Sequence, residues 1–238
     1  MRKVLVLMGD GINSENELAR AFSEQGAQVE KIHVNELLHN PRLLMKYGLL
    51  ALPGGFSFGD EIRSGKILAE KLKDLLIAEL KEFLAQGGRI IGICNGLQVL
   101  AQLGVFDWGS GERSFTLAEN SHGKFQDKWV KLEISPEAQF RSAWFKNLSG
   151  ALYLPVRHGE GRIIKKRELS LPFVPLNYEN DINGSYQQSA GVLNSDGSVF
   201  GLMPHPEVAT QKFLYPFKKE VAQNVEKIHT LFSNGLKD

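Results

Sequence analysis

The length and balanced charge of the chain set the first limits on its function. Its 238 residues allow one large α/β domain or two small ones, and its formal net charge of +1 gives no reason to expect nucleic acid or a membrane as a partner. The single cysteine excludes an internal disulfide and favours a reducing compartment. The apolar run 4–8 is too short for a signal peptide, and no stretch approaches the roughly 20 apolar residues of a membrane helix. We therefore expect a cytoplasmic protein.

Strands and helices alternate over the first hundred residues. Short apolar runs predict four strands, and a capping-box pattern, Ser14-x-x-Glu17, predicts the start of the first helix. The predicted strands are 4–8, 29–34, 49–52 and 89–93, and the helical segments are 15–25, 35–38, 41–46, 66–86 and 97–103. This β-α-β order predicts a mostly parallel, doubly wound sheet of the flavodoxin-like kind, with ligands at the carboxyl ends of its strands.

The second half of the chain has a different pattern. Gly, Ser, Asn and Asp become frequent, and short apolar runs are separated by turns such as 194–197. The predicted strands are 124–134, 151–156, 173–178, 189–193 and 198–203, followed by an amphipathic helix at 218–233. We expect these strands to form an antiparallel C-terminal extension of the same domain, so that residues 1–238 make a single domain.

The segment Gly92-Ile93-Cys94-Asn95-Gly96 is the main candidate for a reactive site. It follows an apolar strand and opens a helix, which is the nucleophile-elbow pattern G-x-S-x-G with Cys in place of Ser. The amino end of the helix favours a thiolate on Cys94. A lone cysteine after an apolar run is otherwise a buried core residue, and a glycine-rich turn can bind phosphate. Glycines at both flanking positions favour catalysis, because a core cysteine needs neither of them.

A base for this cysteine is expected in Pro204-His205-Pro206-Glu207, one of the few segments with a distinctive histidine. Two prolines make the backbone rigid, and alternation along an extended segment would place His205 and Glu207 on the same side. An imidazole held by a carboxylate is the usual proton shuttle for a nucleophile.

Two further segments complete the predicted site. The turn Gly54-Gly55-Phe56 follows a strand, so its N–H groups together with that of Asn95 could stabilise an oxyanion. The alternative, a phosphate cradle, lacks the lysine and hydroxyl of a P-loop. The sequence contains none of the usual metal-ligand spacings, and we expect no metal site. His158 lies in a His-Gly-Glu-Gly segment, which is more typical of a polar loop that faces substrate.

Taken together, these motifs resemble class I glutamine amidotransferases. The resemblance is strongest to the separate glutaminase subunits of phosphoribosylformylglycinamidine synthase and covers essentially the whole chain. The segments that carry it are 53–60, 92–98, 157–161, 183–185 and 204–207.

This resemblance implies that the chain hydrolyses L-glutamine to glutamate and ammonia. Cys94 would be the nucleophile, His205 the general acid and base, and Glu207 the residue that orients it. The ammonia would pass to a large synthase subunit, with a small bridging subunit between them. ATP and magnesium would be used by that partner, and this chain would carry no cofactor.

The resemblance also assigns supporting roles. Gly55, Phe56 and Asn95 would supply oxyanion N–H groups. Gln98, one helical turn after Cys94, would hold the amino-acid end of the substrate. The chain departs from the family pattern at Glu61-Ile62 and Asp181-Ile182, which affects a loop and the partner surface and leaves the catalytic residues intact.

Two other functions compete with this one. A stand-alone cysteine hydrolase acting on γ-glutamyl or peptide substrates would use the same elbow. A catalytically dead scaffold is disfavoured, because Cys94, His205 and Glu207 are all present.

The aromatic residues beside the glycine turn, Phe56 and Phe58, have two interpretations. They can form a contact surface for another subunit, or they can pack in the core. The first interpretation, with the rotational freedom of the glycines, predicts an oxyanion hole that forms fully only when a synthase subunit docks.

Overall fold

The computed structural model describes residues 2–60, 63–108, 112–166, 168–170 and 172–237. The Glu61-Ile62 departure lies outside these ranges. The strands of the described residues are β1 (Val4–Met8), β2 (Val29–His33), β3 (Leu49–Leu52), β4 (Arg89–Ile93), β5 (Phe115–Ala118), β6 (Gln126–Ile134), β7 (Ala151–His158), β8 (Arg162–Lys165), β9 (Phe173–Tyr178), β10 (Ser189–Leu193) and β11 (Val199–Leu202). The α-helices are α1 (Glu15–Ser23), α2 (Val34–His39), α3 (Lys66–Ala85), α4 (Asn95–Leu103), α5 (Ala138–Arg141) and α6 (Val221–Leu236).

One nine-stranded sheet organises these elements, in the order β2-β1-β3-β4-β11-β10-β9-β6-β7. The strands from β2 to β11 in this order are parallel, and the remaining pairs are antiparallel. The mostly parallel sheet with an antiparallel extension is therefore confirmed. Whether residues 1–238 act as a single domain stays a prediction.

The central strands are buried along their length, as expected when helices cover both faces of a sheet. Helix α1 packs against α6, with the rings of Phe22 and Phe232 5.0 Å apart, while α3 packs against α4. The hairpin predicted at 194–197 joins β10 to β11 and is confirmed. No helix in the part of the chain that the structure describes is long and apolar enough to cross a membrane.

The order of the strands determines where the catalytic candidates lie. Strand β11 inserts between β4 and β10 and pairs with β4 in parallel register, so that Leu202 lies opposite Ile93. The residues after β4 and after β11 therefore emerge side by side at the same edge of the sheet. This brings Cys94 and His205 together although they are about a hundred residues apart in sequence.

Two features of the fold differ from the sequence prediction. Strands β5 and β8 were not predicted; each has four residues, and they form a separate two-stranded sheet. Ser14 precedes α1 as predicted, but its hydroxyl makes no cap hydrogen bond. It accepts a hydrogen bond of 2.9 Å from the N–H of Gly54 instead, so the capping-box prediction is wrong.

Candidate active site

Cys94 occupies a strained turn between β4 and α4. Its backbone has φ 51° and ψ −106°, a region that L-residues rarely adopt and that costs on the order of 1–3 kcal/mol. The turn is tight, because a Cβ on Gly96 would lie 2.1 Å from the carbonyl oxygen of Leu52 and one on Gly92 would lie 2.5 Å from Leu100. The geometry matches the predicted nucleophile elbow.

His205 and Glu207 form a buried hydrogen-bonded pair. The distance from Nδ1 to Oε1 is 2.6 Å, and Glu207 is completely shielded from solvent. The backbone reaches this arrangement in an unexpected way. Residues Pro206–Val208 form a short 3-10 helix, so the prediction of an extended segment is wrong although the predicted pairing is present.

The environment of His205 favours its protonated form. Burial alone lowers the pKa of the imidazole, but the negative charges of Glu207 and Cys94 outweigh it and raise the pKa to about 10. Among the described residues, Nε2 of His205 is buried and has no hydrogen-bond partner. In its protonated form, the Cys94 thiol can donate to the carbonyl oxygen of Arg157, which lies 3.7 Å from Sγ.

The glycine turn after β3 lies against this pair. A Cβ on Gly54 would be 2.8 Å from Cε1 of His205 and 3.4 Å from Cβ of Cys94, so the turn touches both. Gly55 has φ 140°, which glycine alone adopts readily. The N–H of Phe56 donates to the carbonyl oxygen of Gly11 at 2.8 Å. In this conformation the N–H of Phe56 is therefore occupied by a carbonyl oxygen, and the oxyanion roles of Gly55, Phe56 and Asn95 stay predictions.

Asn95 and Gln98 belong to a buried network behind the elbow. The side-chain amide of Asn95 donates to Oε1 of Gln98 at 2.9 Å and to Oδ1 of Asp60 at 3.3 Å. Nε2 of Gln98 donates to the carbonyl oxygen of Glu160 at 2.7 Å. Both ends of the Gln98 amide are used in this way and Gln98 does not line the cavity at Cys94, while its predicted contact with the amino-acid end of the substrate stays a prediction.

His158 is also buried, at the end of β7, and does not line that cavity. Its Nδ1 atom lies 3.1 Å from Oδ1 of Asn120, and Nε2 has no partner. His158 thus belongs to a strand and not to the predicted polar loop, and its predicted contact with substrate stays a prediction. Burial first, and then the charges of His205 and His122, lower the pKa of His158 to about 4.

This shift predicts a specific acid sensitivity. The unfolded chain binds a proton at His158 near pH 6.5, whereas the folded chain does so only near pH 4, so stability falls as the pH drops through this window. The loss is on the order of 2–3 kcal/mol. Urea unfolding of the parent and of His158→Gln at pH 7, 6 and 5 measures it. We expect the variant to lose less stability than the parent, and parallel losses in both proteins would contradict the assignment.

A cavity of about 230 Å³ opens at Cys94. This is smaller than the roughly 300–1,000 Å³ of sites for drug-sized ligands, and it suits a molecule of amino-acid size. Sequence reasoning missed Asn13, Phe125 and Asp127, because they belong to no motif, and it placed Ser14, Glu17 and Arg157 in motifs without assigning them to the site. The lining residues are Asn13, Ser14, Glu17, Gly55, Phe56, Cys94, Phe125, Asp127, Arg157, His205 and Val208.

The two aromatic residues beside the glycine turn differ in their exposure to solvent. Phe56 is 50% exposed and lines the mouth of the cavity, whereas Phe58 is half-buried against the core. Core packing therefore describes Phe58, and a contact surface for another subunit at Phe56 stays a prediction. Among the described residues, no group of three or more His, Cys, Asp or Glu side chains could hold a metal ion.

The Asp181-Ile182 departure forms an ordered turn. Oδ1 of Asp181 accepts hydrogen bonds from the N–H groups of Asn183, at 3.1 Å, and Gly184, at 2.7 Å. The carboxylate thereby fixes the turn that leads to Ser185, whose hydroxyl accepts from the N–H of Ile163 in β8.

Known proteins are similar to this chain in sequence and in fold. The CobB/CobQ-like glutamine amidotransferase domain matches residues 1–172 and 174–237. The phosphoribosylformylglycinamidine synthase subunit PurQ of Methanococcus maripaludis is 35% identical, over 98% of this chain and 93% of that protein. PurQ of Thermotoga maritima is 34% identical, over 89% of this chain and 90% of that protein.

Solved structures agree with these matches. A chain in the structure of PurLQS from Thermotoga maritima superposes with a TM-score of 0.73 at 33% identity, covering 95% of this chain and 98% of that one. A glutamine amidotransferase from the same organism shares the fold, with a TM-score of 0.62 at 17% identity, covering 98% of this chain and 96% of that one. The fold and the sequence define the chain as a glutamine amidotransferase. Within that class it belongs to the PurQ family of phosphoribosylformylglycinamidine synthase subunits.

Proposed function

We propose that this chain hydrolyses L-glutamine to glutamate and ammonia, and that it supplies the ammonia to an ATP-dependent phosphoribosylformylglycinamidine synthase subunit in de novo purine biosynthesis. The observation that carries the proposal is the strained Cys94 turn, in one cavity with a His205 that is hydrogen-bonded to Glu207. The expected partners are a large synthase subunit and a small bridging subunit, because the matching solved chain comes from a PurLQS structure.

The chemistry follows from the three side chains. Sγ of Cys94, as the thiolate, attacks the side-chain amide carbon of glutamine, and the His205 imidazolium gives its proton to the amide nitrogen, so that the C–N bond breaks, ammonia leaves and a thioester remains. Neutral His205 then takes a proton from water as that water attacks the thioester, which releases glutamate and restores the sulfur. Glu207 holds the imidazole in place throughout.

The compartment and the cofactors are also part of the proposal. We propose that the chain works in the cytoplasm as a single glutamine amidotransferase domain over residues 1–238, and that no cofactor or metal takes part in its own reaction. ATP and magnesium act at the synthase subunit.

The glycine turn leads to a prediction about activation. In the free chain the N–H of Phe56 donates to the carbonyl oxygen of Gly11. Rotation of the Gly55-Phe56 peptide would break this hydrogen bond and direct the N–H toward the substrate oxyanion, where it forms a new one. We expect docking of the synthase to turn this peptide and to raise kcat by roughly 10²–10³-fold.

Glutamate release measures this effect, with the chain alone and then with the synthase subunits, nucleotide and formylglycinamide ribotide. An isolated chain that is fully active, and unchanged by its partners, would show that the hole is preformed. The same assay with γ-glutamyl peptides distinguishes the stand-alone hydrolase, which would cleave peptides at least as well as free glutamine.

A further inference from the structure

Asp60, the last residue of the segment 53–60, takes no part in the proposed chemistry. Its backbone has φ 52°, a left-handed conformation that few residues other than glycine adopt. Phe58 and Gly59 before it also have positive φ, at 54° and 69°. Such conformations persist only where the surrounding contacts hold them, and they cluster at functional sites. The contacts of Asp60 therefore indicate what its conformation serves.

The Asp60 carboxylate joins the amino ends of two helices. Its Oδ2 atom accepts a hydrogen bond of 2.9 Å from the hydroxyl of Ser64, and Oδ1 accepts one of 3.3 Å from the N–H of Gly65, the residue before α3. Oδ1 also accepts from the side-chain amide of Asn95, the first residue of α4, at 3.3 Å. A hydrogen bond to an ionised acceptor is stronger than one between neutral groups. Asp60 therefore ties the start of α3 to the helix that follows the nucleophile.

The side-chain amide of Asn95 is held at both of its ends. Besides its bond to Asp60, Nδ2 donates to Gln98 at 2.9 Å, and Oδ1 accepts from the N–H of Ser57 at 3.4 Å. Because Asn95 is the first residue of α4, its own N–H has no acceptor within the helix. The direction of this N–H depends on the peptide that joins Asn95 to the strained residue Cys94. The bonds of the Asn95 amide hold that peptide from the helical side.

We propose that Asp60 is a positioning residue for the oxyanion donor, and that through the side chain of Asn95 it directs the N–H after Cys94 toward the carbonyl oxygen of the substrate. This inference rests on the proposed glutaminase function and on the predicted oxyanion role of Asn95. Asp60 does not line the cavity at Cys94, so its effect reaches the reaction through Asn95. Oxyanion donors act in the transition state, so loss of Asp60 should lower kcat and leave KM for glutamine close to the parent value.

The first test removes the carboxylate in Asp60→Ala. In the complex with the synthase subunits, we expect kcat for L-glutamine to fall roughly 10- to 100-fold, because the N–H remains but is no longer held in direction. Asp60→Asn keeps an oxygen that can accept from Asn95, and its amide can donate to the Ser64 hydroxyl, so it should recover most of the lost kcat. Ser64→Ala is the matched control, since it breaks only a bond on the α3 side of Asp60 and should keep the parent kcat.

Alkylation of Cys94 by iodoacetamide separates positioning of the donor from damage to the nucleophile. This reaction uses the sulfur but forms no oxyanion, so its rate should be the same in the parent and in Asp60→Ala. If alkylation and hydrolysis slowed by the same factor, Asp60 would support the nucleophile or the fold as a whole, and the proposal would be wrong. A higher KM for glutamine at unchanged kcat would also overturn it, because the effect would then lie in substrate binding.

A double-mutant cycle tests the route through Asn95. Asn95→Ala removes the anchored amide and leaves the backbone N–H, so it should lower kcat about as much as Asp60→Ala, and the double variant should be no slower than either single variant. Losses that multiply in the double variant would show that the two residues act independently and would contradict the proposal. If Asp60→Ala fails to fold, Asn95→Ala provides the test, and the parent kcat in that variant would contradict the proposal as well.

The parent complex separates this proposal from the function on which it rests. If the parent complex releases no glutamate from glutamine, the proposed function fails. If it does release glutamate and Asp60→Ala has the same kcat, only the proposal for Asp60 is wrong.

Discussion

Replacing Cys94 with alanine should abolish glutamine hydrolysis, with a loss of roughly 10⁴–10⁶-fold in kcat. The elbow places the sulfur of Cys94 in the same cavity as His205, and a water molecule in its place cannot form the thioester. The measurement is steady-state release of glutamate by the assembled synthase complex, with glutamine as the only nitrogen source.

The control in the same preparation is synthesis driven by added ammonia. Ammonia bypasses the glutaminase site, so Cys94→Ala should support this reaction at the parent rate and show that the complex has assembled. If Cys94→Ala released glutamate at near the parent rate, Cys94 could not be the nucleophile. If the variant lost the ammonia-driven reaction as well, its defect would lie in assembly.

The second large effect concerns the proton shuttle. His205→Ala should lower kcat by roughly 10⁵–10⁶-fold, and Glu207→Gln by a smaller factor of roughly 10²–10⁴, because the first removes the proton donor and the second only its orienting partner. Steady-state kinetics of both variants test this order. If both variants kept nearly the parent kcat, neither residue would take part in the mechanism.

The pH profile provides an independent check on Glu207. The carboxylate is the largest of the influences that raise the pKa of His205 to about 10 against the effect of burial. Glu207→Gln should therefore lower the pKa of His205, so that the imidazolium loses its proton at a lower pH. We expect the alkaline limb of kcat/KM to move to lower pH in Glu207→Gln. An alkaline limb at the parent position would show that Glu207 does not act electrostatically on His205.

The sequence predicted correctly those parts of the protein whose conformation follows from the residues next to them in the chain. The elbow is one of them, because the glycines around Cys94 are required by contacts within a few residues and with the neighbouring strand. The buried strands of the parallel sheet are another, since continuous apolar runs have few alternatives. The His205–Glu207 pair was predicted for a partly wrong reason, because prolines at 204 and 206 produce a 3-10 turn and not an extended segment.

The remaining features depend on contacts that no local pattern contains. Ser14 has the sequence of a helix cap, yet a distant N–H competes for its hydroxyl. Gln98 follows Cys94 at the spacing of a shared helix face, but Asn95 and the carbonyl oxygen of Glu160 use both ends of its amide. Glu17 belongs to a capping-box pattern and Arg157 to a segment of the family resemblance, but neither pattern places the residue at the cavity, to which the packing of α1 and the pairing of β6 with β7 bring both.

The position of β11 has a consequence for the synthesis of the protein. A chain that has emerged from the ribosome only through β4 and α4 already contains the nucleophile, but the neighbouring position in the sheet stays empty until residues 199–202 arrive. The base and its carboxylate follow immediately after that strand. A nascent or truncated chain that ends before residue 199 therefore lacks both the strand beside the nucleophile and the base, and it cannot release ammonia from glutamine.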